Sequence, residues 1–160
     1  MPYKDTESKE QTLGSVGNLI IYGGYYVAVL EGVYIEAGKT LKLSWSADGN
    51  LHAYILTETQ FQDFKDDGIA SNYEAYMYAR EGTISAYIRH SDKYYAVLSR
   101  LPFASSVKVY QAQATLIWQE TVTKYHTEYV PKNVADSLYL YIGAIAIIIG
   151  CIFIVVPRKL

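Results

Sequence analysis

The sequence predicts a mainly β protein: an antiparallel β-sandwich of jelly-roll or related type, followed by one C-terminal transmembrane helix. Three observations carry that prediction. Apolar and polar residues alternate with a period of two over several short segments, the pattern of half-buried strands. Turn-forming Gly, Asn, Asp and Pro fall between those segments. Finally, Leu138–Val156 holds no charge, and seventeen of its nineteen residues are Leu, Ile, Val, Ala, Phe, Tyr or Cys. As a helix it would rise about 28 Å, close to the roughly 30 Å hydrocarbon thickness of a bilayer. The expected organisation is a polar N-terminal segment (1–15), a β-sandwich domain (16–120), a membrane-proximal β-prone connector (121–137), the span (138–156) and a short basic tail (157–160).

The start Met1–Thr12 is strongly polar and has no features of a secretory leader. Asn18–Leu30 is the first apolar run, but Gly23, Gly24 and its tyrosines and valines favour a strand over a membrane span. Val33–Glu36 and Lys39–Ser46 flank a tight turn at Ala37-Gly38. In the second of these, Leu41, Leu43 and Trp45 share one face, with Lys42 and Ser44 on the other. Asp48-Gly49-Asn50 has the chemistry of a hairpin turn. The next strand is Leu51–Thr57, with His52, Tyr54 and Leu56 on one face and Leu51, Ala53 and Ile55 on the other.

Glu58–Gly82 is less regular. Phe61 and Phe64 are spaced as on one face of a short helix, and the acidic cluster Asp63, Asp66 and Asp67 ends at Gly68. Tyr73–Arg80 fits either two helical turns or a strand, and the whole stretch reads as a crossing from one sheet to the other. The strand pattern resumes at Gly82: Ile84, Ala86 and Ile88 alternate with Thr83, Ser85, Tyr87 and Arg89. A turn at His90–Lys93 leads into Tyr94–Leu98, and Arg100–Ala104, with Pro102, makes the next bend. Val107–Gln119 is the longest strand candidate, with Tyr110, Ala112, Ala114, Leu116 and Trp118 on one face. As a strand it would extend roughly 43 Å, which calls for a bend or bulge within it. Thr121–Val130 is β-prone, and Asn133, Asp136 and Ser137 are competing helix caps before the span.

The order of these features resembles β-sandwich domains of the GOLD and emp24-like type. The residues that carry the resemblance are Glu36-Ala37-Gly38-Lys39 leading into Leu41–Ser46, and Gly82–Ile88 followed by Lys93-Tyr94-Tyr95-Ala96-Val97-Leu98 as a hairpin. The resemblance implies an extracytoplasmic module tethered by one C-terminal span. It also implies a link to membrane trafficking and to protein or ligand contact rather than catalysis.

Composition narrows the function classes. Fourteen basic and sixteen acidic residues are mixed along the chain, so no broad positive field points to nucleic acid. Seventeen tyrosines against four phenylalanines favour strands and contact surfaces, because the tyrosine ring packs while its hydroxyl hydrogen-bonds. The single cysteine, Cys151, lies in the apolar run, where a thiol stays protonated, and no intrachain disulfide is possible. His52, His90 and His126 are too scattered for a local metal signature, and Asp63, Asp66 and Asp67 do not match a calcium loop. No nucleophile elbow, phosphate loop or His-Glu helix signature occurs. The expectation is therefore a protein that is not an enzyme and has no cofactor.

The anchor carries its own signals. Gly143, Ala146 and Gly150 recur at intervals of three and four, a small-residue stripe on which another helix can pack closely in lipid. Tyr139 and Tyr141 mark one membrane interface, and Arg158 and Lys159 the other. The basic tail argues for a cytoplasmic C terminus and an extracytoplasmic β-domain; a tail anchor without a leader argues for the reverse. The first arrangement is the expectation. The preferred function is a non-catalytic single-pass accessory or structural subunit, with integral membrane protein partners or further copies of itself in the bilayer. The alternatives are a membrane-tethered ligand- or cargo-binding module and a surface-lattice or filament component.

Overall fold

The computed structural model describes residues 2–125. Lys4–Thr123 form one compact unit; a second takes in Met1–Tyr3 and Lys124–Leu160 and falls almost wholly outside the described residues. The described elements are β1 (Pro2–Ile21), β2 (Tyr26–Ile35), β3 (Thr40–Thr57), α1 (Glu58–Asp67), β4 (Ala75–Tyr87), β5 (Asp92–Ser99) and β6 (Val107–Tyr125). The protein is mainly β, as its alternation predicts. The six strands form a single sheet in the order β1-β6-β3-β5-β2, with β4 paired to β3 off that path. The sandwich is thus one curled sheet whose halves face each other, rather than two separate sheets.

The long strand β3 organises the sheet. Along one edge it pairs with β4 throughout, Thr40–Ser46 against Glu81–Tyr87 and Leu51–Ile55 against Ala75–Ala79. Its other edge is divided. Thr40–Ala47 pairs with β6, and His52–Thr57 pairs with β5, both antiparallel. β5 and β6 therefore run back along β3 like one strand interrupted by the loop at 100–106.

That interruption sits beside Asp48-Gly49-Asn50, the expected hairpin turn. The turn is not formed: the three residues lie inside β3 at a register shift between Ser46 and Leu51. Their polar groups are used to fasten the loop instead. The Lys108 N–H donates to Asp48 Oδ1 at 2.8 Å, and Arg100 Nη1 donates to the Asn50 carbonyl at 2.6 Å. Val107 Cγ2 lies 2.9 Å from where a Cβ on Gly49 would stand, so the close approach needs glycine. The turn chemistry makes a bend in one strand, not a reversal between two.

The remaining expectations meet the same test. Glu58–Gly82 does not cross between sheets, because α1 returns the chain to β4, the direct neighbour of β3. Tyr73–Arg80 is not helical; most of it is the start of β4. The run Asn18–Leu30 is two strands with a turn at Gly23-Gly24. The polar start belongs to β1, which runs unbroken across residue 15. Gly82–Ile88 and Lys93–Leu98 are not a hairpin: β4 pairs with β3, and β5 with β2 and β3. β6 is a long strand as expected, and the expected bulge lies at its start. Ser46 faces Gln111 while Ala47 faces Val109, so Tyr110 is the extra residue. Tyr110 is accordingly exposed instead of sharing the buried face of Ala112, Ala114 and Leu116.

The main core lies between the facing halves. Leu41, Leu43, Trp45 and Ala47 enter from the first part of β3, and Leu51, Ala53 and Ile55 from the second. They meet Ala96 and Leu98 of β5, Ala112, Ala114 and Leu116 of β6, and Ile84 and Ala86 of β4. Trp45 lies opposite Gly82, and its Nε1–H donates to the Ala79 carbonyl at 3.2 Å. A Cβ on Gly82 would fall 3.2 Å from the Trp45 ring and 2.9 Å from Met77 Sδ, so the bare backbone there makes room for the indole. Gly14 is tighter still: a Cβ would lie 2.0 Å from the Val29 carbonyl oxygen, which brings β1 against β2 backbone to backbone.

Candidate functional site

Side chains of β3 that point away from the main core differ between its two parts. Lys42, Ser44 and Ser46 of the first part are partly exposed and polar. Ser44 Oγ and Thr83 Oγ1 hydrogen-bond at 2.9 Å, Gln113 Nε2 donates to Thr12 Oγ1 at 2.6 Å, and Lys42 Nζ lies 3.9 Å from Glu10. A shallow groove of about 430 Å³ runs over this face, lined by Ser44, Ser46, Glu81, Thr83, Gln111 and Gln113 among others.

The second part carries His52, Tyr54 and Leu56, and here the outer face is aromatic. Register places Tyr26, Ser99, His52 and Tyr78 in one row across β2, β5, β3 and β4. The next row is Ala28, Val97, Tyr54 and Tyr76. Tyr54 is buried and stacks on Tyr76 at 4.9 Å between ring centroids, with Tyr73 5.2 Å from Tyr76. His52 lies 4.5 Å from Tyr78, and its Nδ1 pairs with the Tyr76 hydroxyl at 3.0 Å. Tyr73, Tyr76 and Tyr78 remain exposed.

At its other end the aromatic strip passes beneath α1. Thr57 caps that helix: its Oγ1 accepts from the Gln60 N–H, and Gln60 Oε1 accepts from the Thr57 N–H at 2.9 Å, a reciprocal capping box. Gly68 closes it at a φ of 70°, where other residues are strained, and donates its N–H to the Phe64 carbonyl at 2.7 Å. Phe61 and Phe64 point down as their spacing predicts. Phe61 stacks on Tyr95 at 3.9 Å, and Phe64 contacts Tyr54 and Tyr26 edgewise or tilted at 5.6 and 5.3 Å. The Tyr95 hydroxyl donates to Glu58 Oε2 at 2.8 Å. Asp63 and Asp66 are exposed on this helix rather than in a loop.

The electrostatics follow from burial. Burial pushes the Tyr54 phenol up to about 12, reinforced by Tyr76, with the Ala70 backbone opposing. Tyr76, Tyr94 and Tyr95 are raised too, chiefly by burial. Burial and the nearby Arg100 guanidinium lower His52, so its ring is held neutral. Hydrogen bonds from Tyr95 and Gln62 lower the Glu58 carboxyl. A neutral imidazole flanked by neutral phenols offers flat apolar faces and hydroxyls that both donate and accept. Such a surface suits contact more than proton transfer.

Of the residues singled out in the sequence, His52 joins this surface, whereas His90 is exposed beyond β4. Gly143, Ala146, Gly150, Tyr139, Tyr141, Arg158, Lys159, Cys151 and His126 lie outside the described residues. Among the described residues, no helix is long and apolar enough to cross a membrane, and no group of three or more His, Cys, Asp or Glu is placed to hold a metal. The aromatic row was partly visible in the sequence, since His52 and Tyr54 share a strand face. Tyr76 and Tyr78 join them only once Tyr73–Arg80 is recognised as strand.

No family model matches the chain, and no curated protein matches it by sequence. Among solved structures it is similar to PliG of Aeromonas hydrophila, a periplasmic lysozyme inhibitor of g-type lysozyme. The identity is 11%, the TM-score is 0.33, and the match covers 74% of this chain and 86% of that one.

Proposed function

We propose that this chain is a non-catalytic contact module, held at a membrane by its C-terminal apolar segment and presenting the Tyr73–Tyr76–Tyr78–His52 face to a partner protein. The observation that carries the reading is this preordered aromatic surface. Its rings pack on one another: Tyr76 stacks on His52 and Tyr54, and Tyr73 and Tyr78 are tilted against their neighbours. Little side-chain freedom is therefore left to lose on binding. Aromatic side chains of this kind supply much of the energy in protein interfaces. The hollow nearest the strip, between Tyr25, Tyr26, Phe64 and Pro102, measures about 30 Å³, far below the roughly 300 Å³ of a small ligand site. The groove of about 430 Å³ lies instead on the polar part, over Ser44, Ser46 and Thr83, so the aromatic strip itself reads as a protein-contact face rather than a ligand pocket. The anchoring part of the proposal rests on the uncharged run Leu138–Val156, the interface residues Tyr139, Tyr141, Arg158 and Lys159, and the small-residue stripe Gly143, Ala146 and Gly150. In this reading the β-domain is extracytoplasmic, with the basic tail Arg158-Lys159 on the cytoplasmic side, and the chain serves as an accessory subunit.

The test is mild-detergent extraction of the native protein from carbonate-washed membranes, followed by sizing and mass spectrometry of what co-elutes. The expected result is a defined set of integral membrane proteins that Tyr76→Ser/Tyr78→Ser loses while staying in the membrane fraction. A chain released by carbonate would sink the anchor. Partners retained by the double variant would sink the aromatic face as the contact.

A further inference from the structure

Among the described residues, β4 pairs with β3 alone, leaving the other edge of a strand of 13 residues without a neighbour. An edge of this length is a template for another strand. What that strand must look like is set by an irregularity in β4. Ala75 and Ala79 face the main core, as do Ile84 and Ala86, so the inward positions are odd before Arg80 and even after Glu81. The same switch appears in the pairing with β3, where Ser46 opposes Glu81 but Leu51 opposes Ala79. A regular strand laid along this edge would match one half of β4 and fall out of phase with the other.

A second copy of β4 does not have that mismatch. If two copies pair antiparallel about a two-fold axis at the Arg80-Glu81 step, the irregularities coincide. Ala75, Met77 and Ala79 of one copy then oppose Ala86, Ile84 and Gly82 of the other, inward position against inward position. Tyr76 and Tyr78 oppose Ser85 and Thr83, outward against outward. At the axis, Arg80 of each copy meets Glu81 of the other, so opposite charges face each other twice. Both residues are exposed, and neither has an ion pair among the described residues. Cross-strand pairs of opposite charge stabilise such a ladder, and like charges directly opposite disrupt it.

We propose that the free edge of β4 is a homodimerisation strand, self-complementary through its phase switch and the Arg80–Glu81 charge pair. The association is isologous, each copy giving and receiving the same contacts. It extends the sheet across the two-fold and brings the two aromatic faces onto one continuous surface. The proposal does not depend on the identity of any other partner.

Charge exchange tests it in the full chain solubilised in mild detergent, with mass read by light scattering or sedimentation. The wild type is expected to dimerise. Arg80→Glu and Glu81→Arg place like charges across the axis and should each weaken self-association roughly tenfold or more, whereas the double exchange Arg80→Glu/Glu81→Arg should restore it. Register is read separately in a Cys151→Ser background. Chains carrying Tyr78→Cys, mixed with chains carrying Thr83→Cys, should form disulfide-linked heterodimers, and neither variant alone should. A monomeric wild type overturns the proposal. So do single exchanges that leave the dimer intact, as they would if the apolar segment drove association. A double exchange that stays monomeric, or a cross-link that forms as readily with Thr83→Cys alone, overturns it as well.

Discussion

The two parts of β3 share one inner pattern and differ on the outside. Leu41, Leu43 and Trp45 enter the main core just as Leu51, Ala53 and Ile55 do. On the outer face, however, Lys42, Ser44 and Ser46 give way to His52, Tyr54 and Leu56. The polar part is covered by solvent and a lattice of hydroxyl, amide and charged groups. The aromatic part needs a second layer, and α1 supplies it over only part of its extent. Tyr54, Leu56, Phe61, Phe64, Ala70, Tyr95 and Val97 make a small core of their own. Beyond the helix, Tyr76, Tyr78 and His52 continue the same strip with no second layer over them among the described residues. The difference is what the proposed contact surface rests on: among the described residues, it is the stretch of a two-layer face that α1 does not cover.

The comparison breaks most directly if α1 is undocked. Phe64 has no exposed surface and is the helix's deepest contact. Phe64→Ala is expected to cost about 3–5 kcal/mol, from lost transfer energy and the cavity left against Tyr54 and Tyr26. A helix of ten residues has little stability without such packing. Hydrogen exchange should therefore rise in α1 while the amides of Leu41–Trp45 stay protected. Uniform loss of protection would mean that the two parts fold as one and that the helix is no separate cover.

Next in size is the response to pH, which separates the parts because the outward-facing phenol at the centre of the second part is Tyr54. Its folded value, about 12, lies above the unfolded value of 10. Its contribution is therefore fully present below pH 10 and is lost as pH rises from 10 through about 12. Tyr76, Tyr94 and Tyr95 shift the same way. Urea midpoints should fall steeply across that window, and Tyr54→Phe should flatten the slope. On the acid side the sign reverses. His52 is lowered from 6.5, so the folded state takes up its proton less readily, and stability declines as pH drops below 6.5. His52→Gln should remove that part of the acid sensitivity. A mutant with the wild-type profile in either window would detach the residue from the surface described.

A smaller effect is expected at the joint between sheet and helix. Thr57→Ala removes one side of the capping box and should cost about 1 kcal/mol. The loss belongs to the helix start, so combining it with Phe64→Ala should give less than the sum. Additive losses would show that the cap stabilises β3 independently of helix docking.

What could be seen in the sequence follows the same division. Period-two alternation identified Leu41–Trp45 and Ile84–Ile88 as strands, because one side of each is buried. Leu51–Thr57, buried on both sides, reads instead as a strand from its short apolar run after Asp48-Gly49-Asn50. The spacing of Phe61 and Phe64 identified the helix for the same reason. Misreadings gather where local chemistry has more than one use. Asp48-Gly49-Asn50 reads as a reversal, yet its carboxylate and carbonyl accept from Lys108 and Arg100, partners distant in sequence that no local pattern shows. The phase switch at Arg80-Glu81 hides the strand character of Tyr76 and Tyr78, so their ring contacts with His52 are invisible until β4 is laid against β3. The polar start of β1 has too few apolar positions to declare itself as strand.

The smallest effect sharpens the comparison from its polar side. Ser44 and Thr83 share a hydroxyl bond on the open face, both groups reach water, and no ring or helix lies over them among the described residues. Ser44→Ala loses that bond, but water replaces it, so stability should stay within about 0.5 kcal/mol of wild type. The same argument applied to Tyr54 gives the opposite answer, because its ring is enclosed and water cannot take its place. If Ser44→Ala proved as damaging as a truncation beneath the aromatic strip, the polar face would itself be supporting structure. The contrast that singles out the tyrosine surface would then vanish. A near-zero effect leaves β3 as a strand with one load on its inner side and a second load on only part of its outer side.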